Sequence, residues 1–215
     1  MDQCDGIALL IIDVQNDFCA GGALAVPGAG AVVDPINRLT DACSQASVPV
    51  FATRDWHPAV TAHFTPYGGI WPIHCVAETD GAAFHPDLRL PADVCVVSKG
   101  EKADAYGYSA FDGRPRPGGR LTDALVAKGV DHLYVGGLAT DYCVRASVLD
   151  ARCAGFRVSL MTDAVAGVNV HPGDAEHAIT EMRVAGAELT TSGAILQTLR
   201  AAKSRLTAQP QQRGR

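Results

Sequence analysis

The chain has 215 residues, with 18 Lys and Arg against 23 Asp and Glu and a net charge of −5. That balance, without a long basic run, argues against a nucleic-acid binder or a protein held on an anionic membrane surface. At 47% hydrophobic and 19% charged residues, the chain carries enough apolar mass for one domain with a sizeable core and too much for disorder.

No apolar stretch is long enough to span a bilayer. The acidic start, Met1-Asp2-Gln3-Cys4-Asp5-Gly6, lacks the basic segment of a signal peptide, so the expected location is the cytoplasm. The seven cysteines (Cys4, Cys19, Cys43, Cys75, Cys95, Cys143, Cys153) are odd in number and form no C-x-x-C pair. A disulfide framework or thiolate zinc site is therefore not expected, and most of them read as small core hydrophobes.

In chain order, residues 6–14 open with a continuous apolar run, the pattern of a central parallel strand buried on both faces. Val32, Ile36, Leu39 and Cys43 recur at helical spacing, with Asp34-Pro35 near the helix start. Strands are predicted over 48–53 and 93–98, separated by the irregular segment 56–91, rich in His, Pro, Gly and aromatics. A loop of that length in a small domain is usually functional. Leu121, Leu125 and Val126 mark a helix ending near Gly129, and 132–138 is a fourth strand. Val144, Val148 and Ala151 give the apolar face of the next helix, 157–161 a fifth strand, and Pro172 the first turn of a helix carrying Ala175, Ile179 and Met182. A sixth strand at 188–191 and a helix at 194–202 complete the pattern. Alternating strands and helices predict a single α/β domain over residues 1–207, a doubly wound sheet of about six mainly parallel strands with helices on both faces. Residues 208–215 read as a flexible polar tail.

In such sheets ligands bind beyond the C-terminal ends of the strands. Asp13 ends the first strand, Asp55 and His57 follow the second, Lys99 follows the third and Cys143 the fourth. A charge ending a buried strand is costly without a partner or a task, although Asp13 could also cap a turn. Cys143 follows Gly136-Gly137-Leu138-Ala139-Thr140-Asp141-Tyr142, where Thr140 and Asp141 offer helix-capping side chains. A thiol at the start of a helix is expected to favour thiolate and to lie among unpaired backbone N–H groups. Asp55 and His57, two apart in extended chain, point the same way. With His63 and His74 in the same loop they form a carboxylate–imidazole set suited to zinc, iron, manganese or cobalt. His85, His132, His171 and His177 lack such company and read as structural. Lys99 alone would read as a surface charge; its place at a strand end lifts it to a partner for the carboxylate and the thiol. Phe18, Trp71, Tyr106 and Tyr108 could line a flat pocket for a planar heteroaromatic ligand, or could simply pack the loop.

Seven motifs resemble the nicotinamidases of the isochorismatase-like cysteine hydrolase superfamily. They are Asp13-Val14-Gln15-Asn16-Asp17-Phe18, Thr53-Arg54-Asp55-Trp56-His57-Pro58, His63-Phe64, Trp71-Pro72-Ile73-His74-Cys75, Ser98-Lys99-Gly100, Tyr108-Ser109-Ala110-Phe111 and Gly137-Leu138-Ala139-Thr140-Asp141-Tyr142-Cys143. The match runs in order from about residue 6 to about residue 200. The resemblance implies an isochorismatase-like fold and a catalytic set Asp13, Lys99 and Cys143. It implies an oxyanion hole from the Ala139 and Cys143 amides across a cis Leu138–Ala139 bond. It also implies one divalent metal on Asp55, His57, His63 and His74, with zinc expected ahead of iron or manganese. Phe18, Trp71, Tyr108 and Leu138 are the implied pocket. The activity implied is hydrolysis of nicotinamide, and of pyrazinamide, through a cysteine thioester in NAD salvage. No nucleic acid or membrane partner is implied, and a homo-oligomer is left open.

Three other readings compete. An amidase of the same superfamily acting on a carbamoyl or ureido substrate shares the Asp–Lys–Cys set but not the metal set. A vinyl-ether hydrolase of the isochorismatase type needs no cysteine nucleophile. A non-catalytic thiol or metal sensor leaves Asp13 and Lys99 unexplained.

Overall fold

Ile7–Ile12 forms strand β1, and all six of its residues are buried. Its odd members, Ile7, Leu9 and Ile11, join one apolar cluster and its even members, Ala8, Leu10 and Ile12, join another. A strand apolar on both faces belongs in the middle of a sheet covered on both sides. The computed structural model describes residues 6–116 and 118–208, apart from the side chains of 202–208. Within it lies a seven-stranded sheet in the order β4-β3-β2-β1-β5-β6-β7. The other strands are β2 (Val50–Asp55), β3 (Cys95–Lys99), β4 (Arg114–Pro115), β5 (His132–Leu138), β6 (Arg157–Ala166) and β7 (Glu188–Thr190). All pairings are parallel except β3 with β4.

Helices α1 (Val33–Gln45) and α5 (Ser192–Ala208) cover one face, and α2 (Leu121–Ala127), α3 (Arg145–Cys153) and α4 (Asp174–Val184) the other. The expected α1 positions Val32, Ile36, Leu39 and Cys43 are all buried in the first cluster. The sheet has seven strands rather than six because β4, two residues long, adds an antiparallel edge. β6 also runs five residues past its predicted end, with a register shift against β5 between Val135 and Gly137. Pro172 lies outside α4, which starts after Gly173. The last helix starts at Ser192 and continues to Ala208, so of the expected tail residues 209–215 lie outside the described residues.

β1 has β2 on one side and β5 on the other, so the strand order reverses beside it. That reversal opens the crevice where doubly wound sheets bind ligands. The end of β5 presses close against β1 there. A Cβ on Gly137, at φ +124°, would lie 2.0 Å from the Ile12 carbonyl oxygen. The glycine pair of the sequence is therefore a requirement of strand packing beside the site.

Candidate active site

Asp13 leaves β1 at φ +47° and is fully buried. Thr53 of β2 fixes it: the hydroxyl donates to Oδ1 at 2.6 Å and accepts from the Asp13 amide at 3.2 Å. Lys99, at the end of β3, reaches across with its Nζ 2.8 Å from Asp13 Oδ2 and 2.5 Å from Asp55 Oδ1. The same ammonium lies 3.2 Å from Cys143 Sγ and 3.2 Å from the Gly107 carbonyl. Three N–H groups face four acceptors, so they cannot all be served at once. Asp13 Oδ2 is left without an aligned hydrogen bond despite its charge pairing. It is the oxygen open to take a proton, and Asp13 offers an oxygen within 4.8 Å of the thiol sulfur.

Burial dominates the protonation states. It raises the Asp13 pKa to about 6; Lys99 pulls it down and Asp55 pushes it up. Burial alone would lower the Lys99 pKa, but Asp13, Asp55 and Cys143 hold it well above its ordinary value. For Asp55, burial works upward and Lys99 with His57 works downward, and the carboxyl ends below its ordinary range. The thiol departs from expectation. Cys143 lies inside a π turn, Thr140–Val144, ahead of α3 rather than in the first turn of an α-helix. Burial drives its pKa well above the ordinary value; Lys99 opposes this, and Asp13 and Asp55 reinforce it. The resting group is a thiol beside a carboxylate that can act as base, not a preformed thiolate.

Thr140 and Asp141 do not cap that turn, which has no side-chain cap. The Leu138–Ala139 peptide is cis, as the resemblance implies. The Ala139 carbonyl accepts from the Tyr142 and Val144 amides, passing over Cys143.

The second half of the site is the imidazole cluster. His57, His63 and His74 are buried and offer ring nitrogens within 4.8 Å of one another. His57 Nδ1 donates to the Gly100 carbonyl at 3.0 Å, and His74 Nδ1 to the Pro72 carbonyl at 2.8 Å. A carbonyl can only accept, so Nδ1 carries the proton in each ring and Nε2 is the nitrogen turned inward. Those nitrogens lie 3.6 and 3.9 Å from Asp55 Oδ2. His57 Nε2 and His63 Nδ1 are buried without a hydrogen-bond partner. Burial lowers the His63 pKa to about 3 and lowers that of His74, which keeps both rings neutral. Three imidazoles and a carboxylate, with orphaned buried nitrogens, fit a divalent cation. Asp13, Asp55 and Cys143 also converge within 4.8 Å, but the positive charge among them is the Lys99 ammonium. Gly100, at φ +70°, leaves room for the His57 ring, since a Cβ there would lie 2.4 Å from it.

A cleft of about 300 Å³, its mouth included, runs from Cys143 to His63, His74 and Asp55. Phe18, Trp71 and Tyr108 line it as expected. The Trp71 indole donates to the Tyr108 hydroxyl at 2.9 Å, and the Phe18 ring tilts onto His74 at 5.4 Å. Leu138 does not line the cleft. Its side chain packs wholly into the core cluster of the α1 face, and Ala139 meets the cleft instead. Tyr106 is 56% exposed and stacks outside Tyr108. Leu24 and Val168, which lie outside every motif, and Tyr142, next to Cys143 in its motif, complete the walls. Gln15 is another unforeseen residue. Its amide accepts from the Asp55 N–H and donates to the Asp55 and Ala82 carbonyls, clamping the end of β2 to the loop. His132 bonds Ser159, in keeping with its structural reading. The six described cysteines form no disulfide.

A doubly wound sheet whose switch point carries a buried thiol, carboxylate and ammonium beside an imidazole cluster defines an α/β enzyme of the cysteine hydrolase class. The chain belongs to the isochorismatase family: the Isochorismatase domain matches residues 7–194. It is 45% identical to the nicotinamidase of Escherichia coli over 200 residues, 86% of this chain and 94% of that protein. It is 43% identical to the nicotinamidase/pyrazinamidase of Mycobacterium tuberculosis, covering 86% of this chain and 98% of that one. Among solved structures, the pyrazinamidase of Pyrococcus horikoshii in complex with zinc superposes with a TM-score of 0.80 at 39% identity, over 86% of this chain and 99% of that one. A protein of L. infantum in complex with nicotinate superposes at 0.78 with 35% identity, over 89% and 95%.

Proposed function

We propose that the chain is a nicotinamidase, hydrolysing nicotinamide to nicotinate and ammonia and accepting pyrazinamide, within a single hydrolase domain over residues 1–207. The observation that carries this reading is Asp55. One of its oxygens pairs with Lys99 beside the thiol and the other faces the imidazole nitrogens, so amide chemistry and a cation site share one cleft. Relatives named for nicotinamide hydrolysis, and structures named for zinc and for nicotinate, point the same way.

Asp13 Oδ2 takes the Cys143 proton as sulfur attacks the carboxamide carbon, while Lys99 offsets the negative charge that would otherwise build up on buried sulfur. The Ala139 and Cys143 N–H groups hold the oxyanion, an effect of roughly 3–4 kcal/mol per donor. The C–N bond breaks and Asp13 returns the proton to the departing ammonia, leaving a thioester. Water then attacks the thioester carbon, giving its proton to Asp13. The C–S bond breaks, the thiol is reprotonated and nicotinate leaves. Asp55, His57, His63 and His74 would hold one divalent ion, zinc ahead of iron or manganese. When bound, that ion supplies a Lewis acid for the ring nitrogen and for water. Phe18 and Trp71 flank the planar ring.

The test is ammonia release from nicotinamide, run beside a carbamoyl substrate, with metal analysis of the same sample. Turnover of the carbamoyl compound alone would replace this reading with that of a different amidase. A thiol sensor is disfavoured because Cys143 is only 5% exposed.

A further inference from the structure

Asp141 precedes Tyr142 and Cys143 and caps nothing in its own turn. Its carboxylate instead spans to the loop after β6. Oδ1 accepts from the Val168 amide at 2.9 Å and Oδ2 from the Asn169 amide at 2.7 Å. Two consecutive amides thus donate to one carboxylate, a pair of charge-assisted bonds that fixes both the distance and the orientation of the loop. The loop is built around this contact. A Cβ on Gly167 would lie 2.5 Å from Ala175 and 3.3 Å from Asp141 Oδ1. Asn169 sits at φ +52° and accepts from the Ala175 amide, tying the segment on to the start of α4. Val168 is a wall of the cleft, on a loop with no sheet hydrogen bonds of its own, because β6 ends at Ala166.

We propose that Asp141 is a positioning residue: it hangs the Val168 wall of the cleft from the turn that carries Cys143, and so sets how tightly the planar ring is held. It touches neither substrate nor reacting atoms. Its effect falls on ring binding rather than on bond breaking, because the loop it holds supplies an apolar wall of the cleft, whereas Asp13 and Lys99 are anchored separately by Thr53 and Asp55. The proposal rests on nicotinamide as the substrate.

Asp141→Asn keeps the volume but turns an N–H₂ toward one of the two amides. The expected result is a KM for nicotinamide raised about tenfold with kcat within about twofold, the signature of lost ground-state binding. Hydrogen exchange at the Val168 and Asn169 amides should speed up, and alkylation of Cys143 by iodoacetamide should keep its wild-type rate. Asp141→Glu, which retains both acceptors, should recover part of the KM. A fall in kcat at unchanged KM, or slowed alkylation, would assign Asp141 to the turn and overturn the proposal. Should Asp141→Asn fail to fold, Val168→Ala probes the wall from the other side; an unchanged KM there overturns the proposal equally. If the wild-type protein releases no ammonia from nicotinamide, the substrate reading fails, and the exchange measurement still decides whether Asp141 holds the loop.

Discussion

The two halves of the cleft are built in opposite ways. Asp13, Lys99 and Cys143 come from the ends of three strands far apart in sequence, and the parallel register of β1, β2, β3 and β5 brings them together. The imidazole half comes from one stretch of irregular chain between β2 and β3. It is held by carbonyls on two histidines, by Gln15 and by the bare Cα of Gly100. The sheet half resists displacement because moving it means breaking a ladder. The loop half depends on a few polar contacts, so a cation held by its nitrogens would stiffen it. Asp55, the last residue of β2, belongs to both.

The largest effect expected is on the sheet half. Cys143→Ala should lower turnover by at least about 10³-fold, as losing a nucleophile does, while metal content stays at the wild-type value. Substantial ammonia release from this variant would remove the nucleophile assignment. Next comes His57→Ala, which should lose metal and weaken nicotinamide binding while leaving iodoacetamide alkylation of Cys143 unchanged. Wild-type metal content in that variant would refute the ligand set. Asp55→Asn should disturb both halves. Metal content should fall, and Cys143 should alkylate faster at neutral pH, because the Asp55 charge is one of the causes that raise the thiol pKa. If metal falls and alkylation does not change, the halves are independent and the bridging role of Asp55 is wrong.

The difference in construction also explains what could be read from the chain. A polar residue ending an apolar run is visible locally, so Asp13, Lys99 and Cys143 stand out. Four metal-type side chains in one loop are equally visible. Thr53 is not, since only the β1–β2 register sets its hydroxyl against Asp13. Asp141 reads as a cap because its partners lie 27 and 28 residues away. The motif places Leu138 among the pocket residues, yet its side chain joins the core cluster and the next residue faces the cleft. The two-residue β4 is too short to carry any periodicity. The thiolate expectation failed because a helix-start argument counts local dipoles and leaves out burial, which dominates here.

The smallest effect expected concerns the proton. Asp13 must be ionised to accept it, and its pKa is raised from 3.8 to about 6, first by burial. Acidification through pH 6 therefore removes the base, and kcat/KM should fall about tenfold for each further pH unit. The Thr53 hydrogen bond acts the other way, favouring the carboxylate. Thr53→Val keeps the shape and removes the donor, so the acid limb should move to higher pH, with about a tenfold or smaller loss at pH 7, the scale of one hydrogen bond to a charged group. Thr53→Ser should restore the limb. A profile that stays in place in Thr53→Val, measured as kcat/KM from pH 5 to 8, would mean that Asp13 is not the group titrating there. The base would then have to be sought elsewhere in the cleft, although Asp13 is the described carboxylate with an open oxygen beside the thiol.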